Sequence, residues 1–239
     1  MLPALLGKKI GMTELFAEDG RVVPVTLIQT GPCTVLQVKT TKTDGYNAVQ
    51  MGLGDGKKHL LNKPMAGHLK ASNVTVPKRF IREIRLPDGP AGEQESQTFK
   101  PGTQVGAEVF EGVWKVKVTG TTKGRGFTGM VKRWNKHRGP ESHGSMNVRA
   151  PGSSGSDTRL THIRPGRHMP GHYGVETVTT TNLELVKIDK PRNLLFVKGS
   201  VPGMNGGWVI VKKTTLVKPA PPKTSTKKKI EPKAREKKK

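Results

Sequence analysis

Val113-Trp114-Lys115-Val116-Lys117-Val118-Thr119-Gly120-Thr121-Thr122-Lys123-Gly124-Arg125-Gly126-Phe127-Thr128-Gly129 changes character half-way along. The first half alternates, Val113, Lys115 and Lys117 against Trp114, Val116 and Val118, the period-two pattern of a half-buried strand. From Gly120 onwards the apolar alternation stops, and glycines and basic residues replace it. A strand runs straight into a segment of another kind. The fold reading therefore divides at residue 120.

On either side of this boundary the chain reads as short strands. Val22 to Ile28 and Thr34 to Lys39 are β-branched runs parted by Gly31-Pro32, and Tyr46 to Met51 follows the turn signal Asp44-Gly45. Gln104 to Phe110 and Val113 to Val118 read as a hairpin around Glu111-Gly112. Val175 to Ile188, Asn193 to Lys198 and Trp208 to Lys212 resume the pattern after the basic segment. Between about 55 and 100 lies a polar, loop-rich insertion with one short helix expected over Asn62 to Ala71. Gly (29) and Pro (18) are abundant in 239 residues, which favours turns over helices, so the class is mainly β, a small barrel or sandwich. There is no internal repeat.

Charge and composition narrow the function. The chain holds 42 Lys and Arg against 18 Asp and Glu, a net charge of +24, while 33% of residues are hydrophobic and 5% aromatic. A core forms but cannot fill the chain. No apolar run approaches the ~20 residues that cross a bilayer, and the opening Met1 to Lys9 lacks the basic start and apolar stretch of a secretory signal. The single cysteine, Cys33, excludes an internal disulfide and a multi-cysteine zinc site, and its strand-like setting marks it as a small buried residue. The expectation is a soluble intracellular chain that meets a polyanion.

Two segments carry most of the excess charge. Residues 218–239 have ten Lys and Arg against Glu231 and Glu236, broken by prolines and nearly free of apolar residues, the composition of a disordered tail. Residues 120–174 have ten more against Glu141 and Asp157, with eleven glycines. A 55-residue segment between two strands of one β-domain exceeds the usual loop several-fold. It interleaves Phe127, Met130, Val131, Trp134, Met146, Met169 and Tyr173 with Lys123, Arg125, Lys132, Arg133, Lys136, His137, Arg138, Arg149, Arg159, Arg164, Arg167 and His168. Seven of its ten cations are arginines, whose planar fork suits phosphate and stacks on bases. Folded RNA accepts such a segment where a protein core does not. The bland alternative is a solvated loop.

Enzymatic readings fail on the residues. Gly124-Arg125-Gly126-Phe127-Thr128-Gly129 matches G-x-G-x-x-G and is placed to open a short helix through Trp134, but no βαβ units surround it. Twenty positions on, Asn147-Val148-Arg149-Ala150-Pro151 offers neither the strand nor the acid that a dinucleotide fold requires. Five of the seven histidines (137, 143, 162, 168 and 172) lie in the segment, yet with one cysteine and two acids nearby no metal set assembles. Ser142-His143 and Ser153-Ser154 lack an elbow and an orienting acid. No cofactor, metal or small-molecule substrate is expected.

Several motifs in order resemble one family. Leu6-Gly7-Lys8-Lys9-Ile10-Gly11-Met12-Thr13, Phe16, Asp19-Gly20 and Val23-Pro24-Val25-Thr26 are similar to the opening of bacterial-type ribosomal large-subunit protein three, the universal L-three family. Val118 to Gly129 running into Val131-Lys132-Arg133-Trp134 resembles its core signature. His143-Gly144, Pro151-Gly152-Ser153, Met169-Pro170-Gly171, Asn193 to Gly199 and Val201-Pro202-Gly203 follow. The resemblance covers about residues 5–217 and leaves the tail outside. It implies a closed barrel of the translation-protein type over 1–119 and 175–217, and an extension over 120–174 that enters ribosomal RNA towards the peptidyl-transferase centre. It implies a tip at Ser153, Ser154, Gly155, Ser156, Asp157, Thr158 and Arg159. It further implies a cytoplasmic, non-catalytic ribosomal constituent that binds large-subunit RNA near its 3′ end, acts early in assembly and touches neighbouring ribosomal proteins. Two departures stand out: Lys117 replaces the usual Asp or Asn, on what reads as a strand edge, and Ser156 to Arg159 lacks the Gln that some relatives methylate. A free RNA-binding assembly or regulatory factor is the alternative.

Overall fold

A computed structural model describes residues 2–87, 98–155, 163 and 165–214; the tail 218–239 and most of the tip lie outside them. Six strands close a barrel in the order β1 (Ala4–Phe16), β12 (Trp208–Lys213), β7 (Lys115–Thr121), β10 (Thr177–Asp189), β11 (Leu194–Lys198), β2 (Val22–Gln29), with β2 returning to β1. All six contacts are antiparallel. The alternation in β7 does what it implies: Val116 and Val118 are buried while Lys117 faces solvent. Leu195 and Val197 of β11 and Val209 and Val211 of β12 fill the same interior.

A second sheet, absent from the sequence reading as a separate unit, packs on this barrel. Its order is β5 (Lys78–Arg85), β4 (Ala48–Asp55), β3 (Cys33–Lys39), β6 (Gln104–Val105). One hydrophobic cluster spans both units, and Leu5 and Leu6 of β1 sit in it with Val35, Met51 and Phe110. This explains why consecutive residues Ala4, Leu5 and Leu6 are all buried: one side of β1 faces the barrel interior and the other faces the sheet. Cys33 is buried there as expected, its thiol donating to the Leu6 carbonyl at 3.4 Å, and burial pushes that thiol up to about 12.

Three expectations are corrected. The segment from Gln104 to Val118 is no hairpin: β6 pairs with β3, Ala107–Phe110 forms a 3₁₀ turn, and β7 lies in the barrel between β12 and β10. The turn forms because Ala107 and Phe110 bury their side chains and the Ala107 amide donates to Asn193 Oδ1 at 3.0 Å. The insertion is more regular than its polarity suggests, with a helix over Lys63–Ala71 as expected and β5 besides. Lys117 sits on an interior strand of the barrel, tolerated because its side chain points outward.

Asn193 joins the two units. Held at φ 51°, it accepts the Thr30 amide on its carbonyl at 2.9 Å and the Ala107 amide on its side chain. A Cβ on Gly106 would meet Asn193 Oδ1 at 2.6 Å, so the approach requires glycine. Lys9, inside the barrel mouth, is buried at 6% exposure and donates from Nζ to the carbonyls of Val201 at 2.8 Å and Gly203 at 3.2 Å. Burial first, and the Lys123 charge second, hold this ammonium below the ordinary lysine range.

Candidate nucleic-acid interface

The extension is a continuation of the barrel's own ladder. β7 and β10 pair as far as Thr121 opposite Thr177. Beyond that the Thr122 amide donates to Glu176 at 2.9 Å, the Arg125 amide to Tyr173 at 2.9 Å, and the Tyr173 amide to Gly126 at 2.9 Å. β8 (Phe127–Thr128) then pairs with β9 (Gly171–His172). Glycine makes this close approach possible: a Cβ on Gly174, already at φ 86°, would run into the Lys123 carbonyl. The two arms therefore leave the barrel as one ribbon.

A short helix, Met130–Trp134, caps the ribbon and ends at Asn135 in the left-handed region. Met130 and Thr128 are buried beneath it. Arg133 Nη1 donates to the Met169 carbonyl at 3.0 Å and Trp134 Nε1 to the same oxygen at 2.9 Å. The Trp134 ring stacks on His168 with centroids 4.1 Å apart and planes 6° from parallel. Further out, the Gly139 amide donates to the Val148 carbonyl at 2.9 Å, Arg138 pairs with Glu141, and Arg167 donates to the Ser153 carbonyl. The root of the extension thus has hydrogen bonds of its own. Two arms, each too polar to fold alone, satisfy one another's backbone.

The residues expected to meet RNA divide accordingly. Lys123, Arg125, Phe127, Lys132, Lys136, His137, Arg138, Arg149, Arg167 and His168 are all exposed. Phe127 stands out at 81% exposure, a bare ring among cations. Arg133 and Trp134 serve the hinge between the arms, and the Arg125 guanidinium lies 5.0 Å from the Tyr173 ring centre. Among the described residues, Arg138 alone of the extension's cations has a carboxylate partner. Of the tip, Ser153, Ser154 and Gly155 are exposed, while Ser156, Asp157, Thr158 and Arg159, like Arg164, lie outside the described residues. No group of three or more His, Cys, Asp or Glu is placed to hold a metal among the described residues. No helix among them is long and apolar enough to cross a membrane.

The sequence reading gave no structural role to Thr128, Met130 or the Met169 carbonyl, which hold the root. The signal available was the short Phe127-Thr128 pair between glycines, matched by Gly171-His172 across the segment. What remains outward is a stem whose exposed arginines and lysines, Arg138 apart, have no carboxylate partner among the described residues, suited to phosphate by charge and to bases by its exposed rings.

Comparison with known proteins bears on this surface. A family model described as Ribosomal protein L3 matches residues 34–237. It runs past residue 217, so the tail that the resemblance left outside is largely taken in. Large ribosomal subunit protein uL3 of Pelotomaculum thermopropionicum is 49% identical over 212 residues, covering 89% of this chain and 97% of that relative. The protein of the same name from Carboxydothermus hydrogenoformans is 46% identical over 212 residues, with the same shares covered.

Proposed function

The chain belongs to the ribosomal protein L3 family, and from that premise we propose that it is a structural, non-catalytic component of the large ribosomal subunit, in the ribosome in the cytoplasm, that works by binding large-subunit RNA. The body, 1–119 with 175–217, seats on the particle. The extension, 120–174, enters the RNA and brings its tip, Ser153 to Arg159, towards the peptidyl-transferase centre. Binding near the 3′ end of that RNA early in assembly, with contacts to neighbouring ribosomal proteins, completes the reading.

One observation carries it: a ribbon built on a closed barrel presents exposed cations of which Arg138 alone has a carboxylate partner among the described residues. Such charges release counterions from phosphate and supply affinity with little sequence preference. Shape supplies the selectivity, since the two arms are hydrogen-bonded to one another at the root and RNA crevices accept what matches them.

Sedimentation through high salt tests this. The chain should remain stoichiometric with the large subunit after the wash. Recovery in the soluble fraction, with intact subunits lacking it, would favour a free assembly or regulatory factor and overturn the reading.

A further inference from the structure

A cleft of about 620 Å³ opens at the foot of the extension, lined by barrel strands and by β5 of the second sheet. Lys8 of β1, Arg79 and Arg82 of β5 and Lys123 at the root of the extension line it, and no carboxylate does. None of these four cations has a carboxylate partner among the described residues. Four like charges converging on one concavity are costly unless an anion comes to meet them.

The cleft also has an aromatic wall. Phe80 and Trp208 stack with centroids 5.2 Å apart and planes 6° from parallel. The Arg82 guanidinium lies 5.1 Å from the Phe80 ring centre and Lys8 Nζ 5.9 Å from that of Trp208. Trp208 is fixed from behind, because a Cβ on Gly54 would come within 2.8 Å of its ring. Gly124, Gly206 and Gly207 also line the cleft and put no side chain into it. Stacked rings and cations thus line one concavity.

We propose that this cleft is a second RNA site, on the body, which seats a single-stranded stretch with one unstacked base laid on the Arg82–Phe80–Trp208 stack and its phosphates on Lys8, Arg79, Arg82 and Lys123. The proposal rests on the reading that the partner is RNA. An acidic peptide would use the cations but leave the ring planes without a purpose, whereas base-on-aromatic stacking uses both. The volume falls in the range that takes one nucleotide-sized group and excludes a duplex. The site gives the body a hold on RNA beside that of the outer extension, with Lys123 of the extension's root completing it.

Photocrosslinking of the full chain tests it. The probe is a single-stranded RNA of ten uridines carrying one 4-thiouridine, set against a ten-pair RNA duplex with the same label. The single strand should crosslink to the tryptic peptide Gly199–Lys212, which contains Trp208. That yield should fall about tenfold in Lys8→Gln/Arg82→Gln, on the scale of losing one stacked base. Crosslinks in the extension peptide Gly126–Lys132 should persist in the variant. Crosslinks confined to the extension peptides overturn the cleft site and leave the proposed function standing. Equal labelling by the duplex overturns the single-strand assignment, and displacement by a ten-residue polyglutamate more readily than by unlabelled oligouridine assigns the cleft to an acidic protein segment instead. No crosslink anywhere overturns both readings.

Discussion

Gly174 sits where two chains of peptide nearly touch, at φ 86° with Lys123 against its α-carbon. Gly174→Ala imposes both a left-handed alanine and a collision, a strain of about 1–3 kcal/mol. The Arg125 and Tyr173 amides, which close the ribbon on either side, should lose hydrogen-exchange protection tenfold or more while β11 amides do not change. Unaltered exchange would mean that the arms do not depend on this contact. Glu83 supports a pH prediction. It accepts from Lys39 Nζ at 2.9 Å and from the Tyr46 hydroxyl at 2.8 Å, and the Lys39 hydrogen bond, more than any other cause, holds its carboxyl below the ordinary value. A depressed folded value means stabilisation that is complete above the ordinary 4.5 and lost as pH falls through the folded value. Glu83→Gln should therefore cost about 0.5 kcal/mol at neutral pH, the scale of a solvent-screened pair. In thermal melts the gap to wild type should narrow as the buffer drops below pH 4.5; a gap constant with pH would sink the assignment. Residue chemistry was legible in part. Cys33 reads as buried from its neighbours alone, whereas Trp134, read as a base-stacking ring, spends one face on His168, a partner 34 positions away that no local pattern reveals.

Among the elements, the β7–β10 pair decides whether extension and body are separable. Thr121 faces Thr177 across the ladder, so a short linker can replace everything between residues 123 and 172. The excised segment contributes Met130 and Thr128 to its own root and nothing to the hydrophobic cluster of the body. Replacement of 123–172 by a Gly-Ser linker should leave the melting temperature within about 4 °C of wild type, roughly the shift that 1 kcal/mol produces in a body of this size. Aggregation or loss of the cooperative melt would show that the root braces the barrel. Strand positions were readable where one face is buried, as in β7 and β11, because period two survives in the sequence, and in β2 and β3 from their β-branched runs. Pairing was not. The false hairpin at 104–118 arose because nearness along the chain is only a default, and here β6 and β7 join different sheets. β1 escaped notice because Ala4 to Leu6 is buried on both faces and does not alternate.

For the whole molecule the governing quantity is a net charge of +24. With about ten phosphate contacts, the affinity for large-subunit RNA should fall with salt at a log–log slope of −7 to −9. A filter-binding series shallower than about −3 would place the basic segments elsewhere than on phosphate. The barrel carries a different consequence, one of timing. β12 is inserted between β1 and β7, and Ala4 lies opposite Lys212, so the first and last strands of the body are neighbours. During synthesis the amino end emerges first. The second sheet, complete by Val105, has all its strands early, and the basic stem follows. Until Trp208 to Lys213 are made, β1 and β7 present two open edges and the cylinder has a gap in its wall. A nascent chain is thus able to offer its charged stem to RNA before its own fold has shut, and the last few residues translated into the body are the ones that lock it.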